Sequence, residues 1–266
     1  MLTKLRTALL AVATLLLGTV AQGQQDPTLA ALVREFHKTT VFWRQFDVAQ
    51  QIAETGDVRV LNELEPWLTH EDRHLRGNAA FVFAKLGDPR GFETIRAMLT
   101  DRSYRPLGQG IPGGSFNTAA PGWWLESQIG ADRYYAVHLL GELKDSRAVP
   151  VLIPLLNDEG INYHVAWALG HIGDRRATQP LIAALGNRDA LMRVSAIQSL
   201  EKLNATEAVT QLRALLNDQA MPRAGPRLTV ADAARAAIAK LELSPNHAME
   251  PSAQRRSWAP RLIASR

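Results

Sequence analysis

The sequence predicts an all-α fold, a right-handed α-solenoid of about five to six helical hairpins with one long loop insertion. Three observations predict it. A segment returns about every 30 residues, as AKLGDPRGFETIRAML at 84–99, GELKDSRAVPVLIPLL at 141–156 and GHIGDRRATQPLIAAL at 170–185. Each copy has an apolar helical stretch on either side of a short turn, and such units bury their apolar faces only by stacking on neighbours. The turns also align, as Gly56-Asp57-Val58-Arg59, Gly87-Asp88-Pro89-Arg90, Lys144-Asp145-Ser146-Arg147 and Gly173-Asp174-Arg175-Arg176, with a weaker copy at Asn204-Ala205-Thr206-Glu207.

From the N-terminus, Lys4 and Arg6 precede an uncharged apolar run from Ala8 to Val20, and small residues follow. That is the pattern of a cleaved signal peptide, here 1–23, with cleavage after Gly23 preferred over cleavage after Ala21. The run is short for a span of about 20 residues, so export to the periplasm or beyond is expected, without membrane insertion after cleavage. Residues 24–39 are expected to form a capping helix for the open end of a stack over 40–243. Its units run 40–72, 73–101, 131–158, 159–189 and 190–218, with a last helical piece at 230–243. The remaining 244–266 is a basic tail in which Arg255, Arg256, Arg261 and Arg266 face only Glu250, a composition expected to stay solvated and disordered.

Of 266 residues, 46% are hydrophobic and 21% charged, enough for an extended core in a soluble chain. The net charge of +4 includes Lys4 and Arg6, so the processed chain carries 4 − 2 = +2 and is not expected to bind nucleic acid. With no cysteine, disulfides, thiolate metal sites and a lipid-modified N-terminal Cys are excluded.

Within each unit the apolar residues recur at helical spacing, as in Val165, Ala166, Leu169 and Ile172 before a turn and Val149, Leu152, Ile153 and Leu156 after one. The turn Asp suits the start of the second helix, where its carboxylate can accept from free N–H groups and meet the positive end of the dipole. Pro150 and Pro180 sit early in second helices, where a missing N–H costs least. Asp57, Arg59, Asp88, Arg90, Asp145, Arg147, Asp174 and Arg176 therefore form a structural ladder, each Arg expected to reach the Asp of an adjacent repeat.

The units AWALGHIGDRRATQPLIAAL at 166–185 and HLLGELKDSRAVPVLIPLL at 138–156 resemble HEAT-like repeats of the phycobilisome-lyase type. The resemblance covers roughly 40–243 and implies the fold, while its members serve as scaffolds, lyases and hydroxylases alike. Bilin lyase activity has the repeats in its favour and the export signal against it, because those enzymes act on cytoplasmic antenna proteins.

The period breaks once, since Asp88 to Asp145 is 57 residues where neighbouring turns lie 31 and 29 apart. The surplus, 102–130, is rich in Gly and Pro and carries Tyr104, Phe116, Trp123 and Trp124. Those aromatics either fold back over the repeats or shape a binding site. Tyr134, Tyr135 and Tyr163 open first helices of adjacent units and could join the same patch, with Trp43 and Trp167 assigned to the core.

The string His70-Glu71-Asp72-Arg73-His74 has zinc-peptidase spacing, but it falls across an inter-repeat turn with Asp72 or Thr69 as a cap. A hydroxylase-like reading would join His70, Glu71 and His74 to His138 and His164 around a metal, yet only one His-Glu pair is present. No Walker loop, nucleophile elbow or dinucleotide fingerprint occurs, and no cofactor is expected. The sequence thus points to a non-catalytic scaffold that binds another protein or an extended polymer through its concave face and the 102–130 loop. A metal-dependent oxidoreductase is the alternative, and the oligomeric state stays open.

Overall fold

The computed structural model describes residues 28–103 and 121–243 other than 224 and 226, with the backbone alone at 121–126. Every regular element among them is helical. A first helix, α1 (Leu29–Lys38), packs on α2 (Phe42–Glu54), and α3 (Val60–Leu64) continues as a 3-10 stretch, Glu65–Thr69. Then come α4 (Arg73–Lys85), α5 (Pro89–Met98) and the long α6 (Pro121–Leu143). The short α7 (Val149–Leu152) lies between 3-10 stretches Ser146–Ala148 and Ile153–Asn157. The chain ends in α8 (Asn162–Ile172), α9 (Thr178–Ala184), α10 (Ala190–Lys202), α11 (Val209–Ala214) and α12 (Val230–Glu242).

The helices alternate between two layers, and the apolar stripe of each hairpin is buried between them, as an α-solenoid requires. Even-numbered helices touch the next even-numbered helix at every step from α2 to α12, whereas odd-numbered ones mostly touch their hairpin partners. The stack therefore closes up on the even side, which forms its inner face. Glycines permit that closeness: a Cβ on Gly141 would lie 2.7 Å from the Trp167 ring and 3.1 Å from the Ala168 Cα. On Gly170 it would lie 2.7 Å from the Ser199 hydroxyl, which itself donates to the Ala166 carbonyl at 2.7 Å.

Each turn is built the same way. The carboxylates of Asp57, Asp88, Asp145 and Asp174 accept from the backbone N–H two residues on, at 2.9 to 3.0 Å. Their arginines do not reach an adjacent repeat's Asp, as the sequence suggested. Arg59, Arg90, Arg147 and Arg176 fold back onto the Asp of their own turn, because a spacing of two residues across a cap places the guanidinium beside that carboxylate. Cross-repeat links come from other contacts: Arg90 to Glu65, Arg176 to the Ser146 carbonyl, and the Arg147 guanidinium 4.6 Å over the Phe92 ring. The residue before each Asp takes the left-handed conformation, with φ of 68° at Gly56, 87° at Gly87 and 79° at Gly173. Lys144 at 54° and Asn204 at 51° are the positions where another residue stands in for glycine.

The segment read as a loop over 102–130 is helical from Pro121 onward. Its last proline, Pro121, suits a first helical position, and Gln128 and Ile129 are buried against the stack. Tyr104 and Phe116 lie outside the described residues, as do the signal peptide and the basic tail, and Trp123 and Trp124 fall in the first turn of α6.

Two buried polar connections carry the stack across the interrupted period. Arg73 on α4 donates to Asp132 on α6 at 2.9 Å and to Asp101 at 2.9 Å, and both Arg73 and Asp132 are buried. One turn on, the Tyr135 hydroxyl donates to Asn78, and the Asn78 amide donates to Gln45 at 3.0 Å and to the Phe42 carbonyl at 2.9 Å. Gln45 closes the chain by donating to the Phe36 carbonyl at 3.0 Å.

Two stability changes of opposite sign are expected in thermal or urea denaturation. Asp132→Ala removes the buried carboxylate from the Arg73 guanidinium, leaving Asp101 and Ser103, and should cost about 3 kcal/mol. Lys144→Gly relieves a left-handed L-residue and should stabilise by about 1 kcal/mol, whereas Gly87→Ala should destabilise.

Candidate functional site

The repeat register decides which side chains share the inner face. Counting back seven residues from each turn Asp, or from Ala205 in the fifth copy, gives Gln50, Phe81, His138, Trp167 and Gln198. Counting back three gives Glu54, Lys85, Glu142, His171 and Lys202. Positions four apart lie on one helix face, and stacking turns each set into a lane that crosses the even-numbered helices.

The central part of this face is a row of rings. Trp43, two turns before Gln50 on α2, lies 5.3 Å from His138 on α6, edge to face. His138 stacks at 5.2 Å and 12° on Trp167 of α8, and Trp167 lies 4.1 Å from His171. The His171 Nδ1 is 3.0 Å from the ammonium of Lys202 on α10, which ends the row in a cation. A second group lies nearer the helix starts, where the His164 ring sits 3.8 Å from Tyr134 and 3.9 Å from Tyr163. Among the described residues, His138 and His164 make ring contacts but no hydrogen bond through their ring nitrogens.

Burial sets the charge state of this face. His164 is pushed down to about 4 by loss of solvent, with His138 adding a smaller effect. His138 and His171 are also lowered, chiefly by burial, although Glu142 opposes the shift in both and Lys202 adds to it in His171. Burial likewise raises the Tyr134 phenol. At neutral pH the row therefore presents uncharged imidazoles, each able to accept a proton or a hydrogen bond, between flat indole and phenol surfaces.

The residues singled out from the sequence divide clearly. Tyr134 and Tyr163 both pack on the His164 ring. Tyr135 is 1% exposed with its hydroxyl taken by Asn78, so it belongs to the core and not to a binding patch, because it is one residue out of register with the inner face. Trp43 and Trp167, expected in the core, lie on the face instead, and Trp43 is 41% exposed. His171 and Lys202 were overlooked, though the count from the turn Asp would have found them.

The residues of the metal alternative do not converge. His70 caps the 3-10 stretch at Glu65–Thr69 and stacks on Trp67 at 5.0 Å, and Asp72 caps α4. Glu71 is exposed, His74 stacks on Phe42 at 4.5 Å, and His138 and His164 stand in separate ring groups. Among the described residues, no group of three or more His, Asp or Glu side chains is arranged to hold a metal.

A profile of HEAT repeats matches residues 123–189 and, in a second copy, 158–225. A phycocyanobilin lyase subunit alpha from Picosynechococcus sp. is 37% identical over 116 residues, covering 36% of this chain and 43% of its own. The bilin biosynthesis protein PecE of Mastigocladus laminosus is 31% identical over 152 residues, covering 56% of this chain and 49% of its own. Residues 123–225 are thus HEAT-like repeats, similar to those of phycobilisome-lyase-type proteins. The HEAT-like chain spans about half the length of the curated relatives it matches. The expectation of a non-catalytic scaffold is overturned, because the relatives are named as lyase subunits and bilin biosynthesis proteins. No helix among the described residues is long and apolar enough to cross a membrane.

The His164 environment makes stability depend on pH. The unfolded chain takes up a proton near 6.5 and the folded one at about 4, so this contribution is complete above pH 6.5 and is lost as pH falls towards 4. Asp57, held at about 2 mainly by its hydrogen bonds with Arg59, does not titrate in that window. Urea midpoints measured from pH 7.5 to about pH 4.5 should fall, and His164→Gln should flatten the fall; an identical slope in the variant would refute the assignment.

Proposed function

We propose that this chain is an enzyme of the bilin-lyase type. It holds an open-chain tetrapyrrole along the inner face and makes or breaks the bond between that pigment and a nucleophile on a carrier protein. The observation that carries the reading is the neutral row Trp43, His138, Trp167 and His171 on a chain whose relatives are named for bilins. A long, flat, conjugated molecule with polar edges needs stacking surfaces spaced along a line and uncharged groups that can accept or donate at its rim. Indoles and half-buried imidazoles on successive repeats supply both.

A lyase adds a group across a double bond or removes one. When a thiol adds, its proton must leave sulfur and a proton must reach carbon, and a neutral imidazole can serve both transfers. His138 suits this role because burial keeps it unprotonated and its ring nitrogens make no hydrogen bond among the described residues. The chain itself has no cysteine, so the accepting thiol belongs to another protein. The relatives called subunit alpha support a further partner, a second subunit. The signal-like start of the sequence supports action outside the cytoplasm, on a carrier other than a cytoplasmic antenna protein.

Titration of the purified protein with biliverdin, followed by absorbance, tests the binding step. Saturable binding is expected, weakened about tenfold or more by Trp167→Ala, since a ring that loses its stacking partner forfeits about 1–3 kcal/mol. Incubation with phycocyanobilin and a cysteine-bearing carrier should give a covalent adduct whose rate falls in His138→Ala. Absence of saturable bilin binding, or binding indifferent to Trp167, would sink the reading.

A further inference from the structure

We infer that the cavity beside the ring row is the subsite for the pigment's carboxylates, with Lys144 as the residue that recognises them; this rests on the inner face being the tetrapyrrole site. The cavity measures about 380 Å³ and is formed where α2, α4 and α6 end. Glu54 comes from α2, Phe81 and Lys85 from α4, and Glu142 and Lys144 from α6 and its turn. It lies next to the ring row: Glu142 stands one helical turn after His138, and beneath the surface Phe81 packs at 4.9 Å on Phe46, which lies 5.6 Å from His138.

Lys144 is the informative residue. The repeat places glycine before the turn Asp at 56, 87 and 173, all with positive φ, because a left-handed backbone suits a residue without Cβ. Lys144 occupies the same place at φ 54° and carries the strain of a side chain there. Asn204, the other exception, is of a type that tolerates this conformation, whereas lysine has no such excuse. What lysine adds is an ammonium at the cavity. Lys85 supplies a second, fixed in place by its hydrogen bond to the Leu143 carbonyl at 3.4 Å and its position 5.4 Å over the Phe81 ring.

The charges of the lining identify the ligand chemistry. Two ammoniums and two carboxylates give no net positive field, which suits a polyanion such as polyphosphate poorly. They suit a molecule that presents carboxylates along one edge and N–H donors along the other. An open-chain tetrapyrrole does this, with propionate side chains on one edge of its middle rings and pyrrolic N–H groups on the other. Lys85 and Lys144 take the propionates, Glu142 accepts from the N–H edge, and the flanking rings extend along His138 and Trp167.

The test compares biliverdin with its dimethyl ester, which keeps the conjugated system and removes both negative charges. Each is titrated against the full chain and against Lys144→Gly and Lys144→Gln. The full chain should prefer the free acid by about tenfold, less at high salt. Both variants should lose most of that preference and keep their affinity for the ester, while Lys144→Gly melts higher than the parent, which excludes misfolding as the cause. Equal affinity of the full chain for acid and ester, or a preference that survives in both variants, overturns the subsite and leaves the bilin reading standing. Failure of either compound to bind overturns both.

Discussion

A solenoid is held only by contacts between neighbours, so a break in its period is where it is most exposed to separation. Here the break between Asp101 and Pro121 is crossed by the buried Arg73–Asp132 pair and by the Gln45–Asn78–Tyr135 hydrogen bonds. Both links join α4 to α6, and the second runs on through α2 to the carbonyl of Phe36 in the first helix. Buried charge is costly alone, and this pair is tolerated because Asp101 and Ser103 satisfy the rest of the guanidinium. A polar tie also fixes register in a way that apolar contacts do not, since its geometry admits few alternatives.

The candidate site depends on that register. Trp43 belongs to α2 and His138 to α6, with α4 stacked between them, so their approach requires the α2–α4–α6 arrangement that Gln45, Asn78 and Tyr135 lock. On the far side, Gly141 lets α8 come close enough for Trp167 to lie flat on His138. The same features that stabilise the stack thus space the rings along it. Burial by neighbouring rings then removes charge from the imidazoles, which turns a set of exposed histidines into an uncharged surface suited to a conjugated ligand.

Two features of the sequence are decided by packing. His70 and His74 have zinc-peptidase spacing but straddle an inter-repeat turn, and the Asp72 cap with the stacking of successive helices sends those imidazoles to different ring partners. Trp43 and Trp167 looked like core residues because tryptophan usually is buried, and a one-dimensional pattern cannot tell the face between layers from the face a curved stack turns inward. Tyr135 shows the converse: it is a buried partner of Asn78, adjacent to a residue that does face the site.

The sequence by itself determined the repeat, the two helices per unit, the Asp-capped turns and the place where the period breaks, because each follows from local periodicity and from which residues suit a helix start or a left-handed turn. Even the lanes of the inner face were latent in it, as fixed distances back from each turn Asp. Only the tertiary structure decided that the even-numbered helices close up on one another and that rings from α2, α6 and α8 meet in a row. It alone showed that each turn Arg folds back on its own Asp. Those outcomes depend on how far side chains reach between helices distant in sequence, a quantity that packing sets and that no local pattern contains.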